Sequence, residues 1–301
     1  MQRRIRKVAV IGSGIMGGGI AALLAGAGVE VLLLDIVPFD LTDDEKKDPK
    51  ARNRMVETGF NAALKSKPPL FYDKKNDAPM ISIGNLEADF DKLAECDWIV
   101  EVVVENLKIK QQLFKRIEGV RKAGSIISSN TSGIPLKDMS ADLSQEMRQH
   151  FLGTHFFNPV RYMHLLELIP GAETLPEVLD FISNYGEVML GKGIVWAKDT
   201  PNFIGNRIGI HGIGKAMQIM LEDGLSIPEV DAIFGAPMGR PKTAIFKTSD
   251  LVGLDTMSHV SSNTYDLCVD DEERDTFIVP DFVKKMVENE QLGNKTKGGF
   301  Y

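Results

Sequence analysis

A histidine and a glutamate twelve positions apart, His155 and Glu167, have the side-chain types that acid–base chemistry needs. Each lies in an apolar run, Gly153–Phe157 and Leu165–Ile169, and we predict that both runs are strands. If these strands are neighbours, the carboxylate can reach the imidazole, fix its tautomer and stabilise its charged form. A lone histidine in an apolar segment is more often a core residue, so both interpretations stay open.

Three glycines near the start of the chain have the spacing of a phosphate-binding turn. Gly12, Gly14 and Gly17 follow the apolar run 8–11 and open a predicted helix. Gly12 permits a tight turn, Gly14 lacks a Cβ that would obstruct a pyrophosphate, and Gly17 lets the helix pack against the strand. Asp35 ends the next apolar run, where an acid would bind ribose hydroxyls and repel a 2′-phosphate. The sequence therefore predicts that NAD, rather than NADP, is bound by Gly12, Gly14, Ile15, Met16, Gly17 and Asp35.

Two further polar segments could face a substrate. The segment 128–132 follows a predicted strand, at the end where ligands bind in open α/β sheets, although Ser132 could equally cap a following helix. The segment 201–207 begins a helix, and its Asn206 could donate an amide hydrogen bond to a substrate oxygen. The alternative for Asn206 is a residue that only packs two domains together.

Strands and helices alternate through the first two thirds of the chain. The strands are uniformly apolar, which is typical of a parallel sheet covered on both faces. We therefore predict an α/β, Rossmann-type doubly wound, mostly parallel sheet over residues 1–199. From Phe203 onward the patterns are helical, so residues 200–301 are predicted to form an all-α C-terminal domain.

The composition excludes several classes of protein. The chain has 43% apolar and 26% charged residues and a formal net charge of −7, so it has no bulk attraction for nucleic acid. No apolar run is long enough to predict a membrane span, and no signal peptide is visible. Two cysteines, Cys96 and Cys268, are interpreted as reduced and buried. We expect a cytoplasmic globular protein without a metal site.

Several motifs, in this order, resemble the L-3-hydroxyacyl-CoA dehydrogenases of fatty-acid β-oxidation. The resemblance covers nearly the whole chain and depends on the segments 12–17, 104–110, 129–132, 155–159, 199–207, 252–255 and 298–301. It implies that the chain oxidises an L-3-hydroxyacyl-CoA to a 3-ketoacyl-CoA with NAD. The charged segment 40–54 and the segment 68–77 resemble insertions of the branch in which this dehydrogenase is fused to an enoyl-CoA hydratase.

The resemblance also implies roles for individual residues. His155 would take the proton of the substrate 3-hydroxyl, and Glu167 would orient His155. The remaining implied site residues are Ser132 and Asn206 on the substrate, Asn158 in a positioning role, Glu105, Lys110 and Asn130 on the cofactor side, and Lys65 and Lys67 at the CoA phosphates. The charged helix that carries Lys65 and Lys67 could also be only a solvated face.

The resemblance leaves the partners of the chain open, and the sequence departs from the family's usual residues at two positions. It implies an acyl-CoA substrate and either a homodimer or an attached enoyl-CoA hydratase domain. The sequence has Arg161 where the family usually has proline and Asn202 where glycine is usual, although asparagine tolerates left-handed backbone angles. The alternatives are a dehydrogenase of a free hydroxy acid, a noncatalytic NAD-binding protein, and a docking module of a β-oxidation assembly.

Overall fold

A computed structural model describes residues 3–301. The chain divides into two compact units, the first ending at Asp199 and the second running from Thr200 to Tyr301. The first unit contains a sheet with helices, and the second is helical. The predicted fold class, a mostly parallel α/β sheet followed by a helical region, is confirmed.

One eight-stranded sheet forms the first unit, in the spatial order β3-β2-β1-β4-β5-β6-β7-β8. Every neighbouring pair is parallel except β6 and β7, which are antiparallel. The inner strands are buried on both faces, which explains why their sequences show no polar alternation. The strands are β1 Lys7–Ile11, β2 Glu30–Asp35, β3 Ile81–Asn85, β4 Trp98–Glu101, β5 Ile126–Ser129, β6 Phe151–Phe156, β7 Leu165–Pro170 and β8 Gly193–Trp196.

Eight α-helices accompany the sheet: α1 Ile15–Gly26, α2 Pro49–Arg52, α3 Arg54–Lys65, α4 Lys74–Asp77, α5 Leu107–Val120, α6 Leu136–Met139, α7 Gln145–Gln149 and α8 Pro176–Val188. Helix α1 is buried over most of its length because its small and aliphatic residues pack against the sheet. The single charged helix predicted to carry Lys65 and Lys67 is wrong in detail. It is two helices, with Asn53 between them, and the Asn53 side chain accepts a hydrogen bond from the Asn85 amide at 2.7 Å.

The second unit packs five α-helices around its own apolar core: α9 Gly205–Asp223, α10 Ile227–Ile233, α11 Phe246–Val252, α12 Leu254–Leu267 and α13 Asp281–Glu288. Helix α9 ends at Gly224, whose φ of +67° is readily adopted only by glycine. Ser226 and Glu229 form a capping box that starts α10. None of the helices in residues 3–301 is long and apolar enough to cross a membrane.

Candidate active site

The antiparallel pairing of β6 and β7 places His155 directly opposite Glu167. The imidazole Nδ1 lies 2.7 Å from Glu167 Oε2, and the two side chains are 4% and 0% exposed. Because a carboxylate can only accept a hydrogen bond, Nδ1 carries the hydrogen, and Nε2 has the lone pair of the neutral ring. The pair therefore has the geometry of an oriented general base.

Residues from the adjoining strands surround this pair. The Phe157 ring lies 4.5 Å, between centroids, from the His155 ring. Asn130, directly after β5, accepts a hydrogen bond at its Oδ1 from the backbone N–H of Phe156 at 2.9 Å. The Asn130 side chain thus links the end of β5 to the strand that carries the histidine.

The segment after β5 is held by Glu105. Glu105 Oε1 accepts the Thr131 hydroxyl, the Ser132 backbone N–H at 2.8 Å and the Gly133 backbone N–H at 3.2 Å. The interpretation of Ser132 as a helix cap is wrong, because a different residue, Asp199, accepts the first N–H groups of α6 at 2.9 and 3.1 Å. Ser132 itself is half-buried.

Lys110 is the buried partner of Glu105, with only 1% of its surface exposed. Its ammonium is 2.6 Å from Glu101 Oε1 and 3.2 Å from Glu105 Oε2. Of the two predicted cofactor contacts, Glu105 has 37% of its side chain exposed and is accessible to a ligand. Lys110 is buried and contacts Glu105 from inside the protein. Burial raises the pKa of Glu105, but the Lys110 charge and the hydrogen bonds from Thr131 and Ser132 outweigh it, so the pKa of Glu105 is lowered.

Glu101 is a residue of this region that the sequence analysis missed. It is the last residue of β4, it is fully buried, and burial raises its pKa despite the nearby Lys110. The available signal was a single acid inside the otherwise apolar segment 98–104.

The glycine turn has the conformations that its sequence predicts. Gly12 has a φ of +106°, and a Cβ there would come within 2.4 Å of the Val102 carbonyl oxygen. A Cβ on Gly17 would lie 1.8 Å from the Gly12 carbonyl oxygen, whereas a Cβ on Gly14 would meet nothing within 4 Å. Gly12 and Gly17 are therefore required by the packing of the protein itself. Gly14 leaves space for a ligand next to the N-terminus of α1, and Ile15 and Met16 are the first residues of that helix.

Asp35 stands beside that turn. One of its carboxylate oxygens accepts the Ser13 backbone N–H at 2.7 Å and the Ser13 hydroxyl, and the other accepts the Ile36 N–H at 2.7 Å. A carboxylate has about four acceptor positions, so Asp35 can accept a further donor. Ser13 is a second residue that the sequence analysis missed. Its two hydrogen bonds to Asp35 hold the carboxylate in a fixed position relative to the glycine turn.

A cavity of about 740 Å³ adjoins the turn and Asp35. It is lined by the ends of β2 and β4 and by α5, and includes the exposed Phe39 and Met55. An open Gly14, a ribose-facing acid and a largely apolar cavity between the β2 and β4 ends are the features that a dinucleotide requires. The residues present therefore fit NAD.

Three of the other predicted residues belong to the first unit and one belongs to the second. Asn158 is exposed just after β6, Lys65 and Lys67 are exposed at the end of α3, and Asn206 is the second residue of α9, in the other unit. Within residues 3–301, no group of three or more histidines, cysteines, aspartates or glutamates could hold a metal ion. Cys96 and Cys268 are buried and unpaired, as the sequence predicts.

The connection between β6 and β7 is fixed by two cations. The buried Lys192 donates to the carbonyl oxygens of Val160 and, at 2.7 Å, Met163, and burial lowers its pKa. Arg161 donates to the Phe71 carbonyl oxygen at 2.7 Å, and so ties the same connection to the segment 68–77. The arginine that replaces the expected proline is therefore an anchor for that segment.

The unexpected Asn202 has a structural explanation. Its φ is +59°, in the left-handed region that asparagine tolerates better than most residues. Its side-chain amide donates to the Thr264 hydroxyl at 2.6 Å, so the side chain stabilises the turn that precedes α9.

Comparison with known sequences and structures identifies the family of this chain. The family described as 3-hydroxyacyl-CoA dehydrogenase, NAD binding domain, matches residues 7–200, and the C-terminal domain of the same family matches residues 203–301. A solved structure, (S)-3-hydroxybutyryl-CoA dehydrogenase PaaH1 from Ralstonia eutropha, is 30% identical, with a TM-score of 0.79 over 99% of each chain.

Two curated relatives are longer than this chain. A Bacillus subtilis protein named "Probable 3-hydroxyacyl-CoA dehydrogenase" is 50% identical over all of this chain and 39% of its own length. A Rickettsia felis protein named as a fatty acid oxidation complex trifunctional enzyme is 41% identical over all of this chain and 41% of its own length. The chain thus spans about two fifths of these relatives. The predicted resemblance is confirmed, and the chain belongs to the 3-hydroxyacyl-CoA dehydrogenase family.

Proposed function

We propose that this chain catalyses the NAD-dependent oxidation of an L-3-hydroxyacyl-CoA to a 3-ketoacyl-CoA in fatty-acid β-oxidation, with His155 as the general base. The observation that carries the proposal is the buried contact of 2.7 Å between His155 Nδ1 and Glu167 Oε2. In a buried environment that contact fixes the tautomer, because the carboxylate accepts only from the protonated Nδ1.

The proton step follows from this arrangement. His155 Nε2 takes the proton of the substrate 3-hydroxyl, and the ring becomes an imidazolium whose charge the Glu167 carboxylate stabilises. The carboxylate stays ionised throughout, so it orients and supports the ring without accepting the proton. Positioned proton transfer of this kind contributes about 10²–10⁴-fold to a rate.

The cofactor side is assigned from the first unit. NAD, when bound, supplies the acceptor for the hydride that leaves the substrate carbon. The N-terminus of α1 and the open space at Gly14 hold its pyrophosphate, and Asp35 accepts its ribose hydroxyls. Asp35 would repel a 2′-phosphate, so NAD is preferred over NADP. Glu105 and Asn130 line the nicotinamide side.

The substrate side uses residues that the family resemblance implies. We assign the Ser132 hydroxyl and the Asn206 amide to substrate oxygens, and Asn158 to the positioning of the reacting groups. Lys65 and Lys67, both exposed, are assigned to the CoA phosphates. A homodimer or an attached enoyl-CoA hydratase domain completes the assembly, the latter in keeping with the name of the Rickettsia felis relative.

The test is the reverse reaction, followed as the loss of NADH absorbance at 340 nm with acetoacetyl-CoA, for the full chain and its His155→Ala variant. We expect loss of NADH that disappears in the variant, while both proteins still bind NADH. If the wild type binds NADH but consumes none with acetoacetyl-CoA or with long-chain 3-ketoacyl-CoA, the proposed activity is wrong. Equal rates in the two proteins would remove the assignment of His155 as the base.

A further inference from the structure

We propose that Glu101 is a positioning residue for the cofactor side of the site: it holds Lys110 and Ser129 so that Glu105 and the segment 130–133 keep a single geometry. The inference rests on the proposed function, because it assigns Glu105 to the nicotinamide side. Glu101 itself is fully buried.

The carboxylate of Glu101 accepts three hydrogen bonds from the protein. Its Oε1 accepts the Val103 backbone N–H at 2.7 Å and the Lys110 ammonium at 2.6 Å, and its Oε2 accepts the Ser129 hydroxyl. These donors come from the segment after β4, from α5 and from the end of β5. One carboxylate thus connects three elements at the carboxyl edge of the sheet.

Two routes lead from Glu101 to the segment 130–133. In the first, Lys110 bridges Glu101 to Glu105 Oε2, and Glu105 Oε1 in turn holds the Ser132 backbone N–H. In the second, Ser129 donates to Glu101 and accepts the Thr131 backbone N–H at 3.1 Å. Both routes end on the same short segment, so removal of Glu101 releases that segment from both sides.

The energetics of buried charge favour a positioning role over a stabilising one. A buried ion pair loses the hydration of both groups, and well-packed apolar residues of similar volume are often as stable or more stable. The arrangement of Glu101, Lys110 and Glu105 instead fixes geometry. Without the Glu101 charge, Lys110 has one carboxylate in place of two, and its ammonium draws Glu105 Oε2 inward, away from the surface that Glu105 presents.

The experiment measures NADH binding by fluorescence, without any acyl-CoA, for the full-length Glu101→Gln and Ser129→Ala variants. Because the Lys110 and Ser129 hydrogen bonds to Glu101 are made to a charged group, we expect the Kd for NADH to rise about tenfold or more in Glu101→Gln. Ser129→Ala removes one hydrogen bond and no charge, and its Kd should rise by a smaller factor. Ser129→Ala also keeps the test decisive if Glu101→Gln does not fold.

A double-mutant cycle with Lys110→Met separates positioning from general damage. Because Glu101 acts through both Lys110 and Ser129, the double variant should bind NADH more weakly than Lys110→Met alone, but by less than the two single losses combined, since coupled residues are not additive. Glu118→Gln is the matched control, since Glu118 pairs with Lys115 on the same helix, and its Kd should equal that of the wild type.

The outcomes distinguish this inference from the proposed function. A wild type that does not bind NADH would overturn both. A wild type that binds NADH, with variants that lose thermal stability but keep its Kd, would overturn the positioning role alone. Additive losses in the double-mutant cycle would also contradict it.

Discussion

Two fully buried glutamates of one sheet, Glu167 and Glu101, have partners of different chemistry. Glu167 faces His155 on the adjacent antiparallel strand, whereas Glu101 faces Lys110 from a helix that packs on the sheet. Histidine gains and loses a proton near neutral pH, and lysine keeps its charge there. The same acidic side chain is therefore paired with a group that can exchange a proton in one place and with a lasting positive charge in the other.

The difference in partners predicts a difference in what each pair controls. A pair built on histidine should affect the rate of the proton step and have little effect on the fold. A pair built on lysine should affect the fold and the geometry of ligand binding, because its ammonium cannot lose charge without leaving buried carboxylates uncompensated.

The largest effect is expected for His155→Ala. Loss of a positioned base should lower kcat by about 10²–10⁴-fold, while the Kd for NADH changes little. Initial rates at 340 nm give the first quantity and NADH fluorescence the second. A variant that loses NADH binding in proportion to turnover would show that His155 serves the fold or the cofactor, and the contrast with Lys110 would disappear.

Lys110→Met tests the other pair through stability. Removal of one partner of a buried ion pair costs about 3–5 kcal/mol, because the remaining charges stay buried without compensation. Chemical denaturation of the full chain measures this loss. Lys115→Met is the matched control on the same helix, since its pair with Glu118 is at the surface, with Lys115 61% exposed, and should contribute about 0–1 kcal/mol. Equal losses in the two variants would contradict the structural role of Lys110.

Glu167→Gln sharpens the comparison by keeping the shape of the side chain and removing its charge. A glutamine oxygen can still accept the Nδ1 hydrogen, but it cannot compensate the imidazolium. Since hydrogen bonds to charged groups contribute about 1.5–3 kcal/mol, kcat should fall about 10- to 150-fold, less than in His155→Ala. A variant as active as the wild type would show that the hydrogen bond alone, without its charge, is sufficient.

The sequence was most informative where local pattern determines structure. Uniformly apolar strands separated by helices predicted the parallel sheet, since such strands must be covered on both faces. The glycine turn was predicted at the level of single residues, because a φ of +106° at Gly12 and the close approach at Gly17 exclude larger side chains. The φ of Gly12 and the contact between Gly17 and Gly12 involve only residues that are close together in the chain.

The sequence was least informative where partners are distant. The apolar segment 98–104 continues beyond the strand, which ends at Glu101, where the Glu101 side chain accepts the Val103 N–H. The cap of α6 comes from Asp199, 63 residues away, and not from Ser132. Such contacts depend on which elements the fold brings together, and no local pattern encodes them.

The smallest change in stability is expected for Glu105, which pairs with the buried Lys110 and is itself partly exposed. Its pKa is lowered in the folded protein, because the Lys110 charge and the hydrogen bonds outweigh the opposing effect of burial. A lowered folded pKa contributes stability above the ordinary value of 4.5, and this contribution is lost as the pH falls through the folded pKa. Glu105→Gln should therefore be less stable than the wild type near neutral pH, and the difference should shrink below pH 4.5.

Urea denaturation of both proteins across that range measures the difference. Glu177→Gln, in a helix of the same unit, is a suitable control for the general effect of removing one negative charge. A constant difference between Glu105→Gln and the wild type at every pH would show that the contacts of Glu105 stabilise the fold without dependence on its charge. The Lys110 charge would then compensate Glu101 alone, and Glu105, on the side that we assign to the cofactor, would not depend on it.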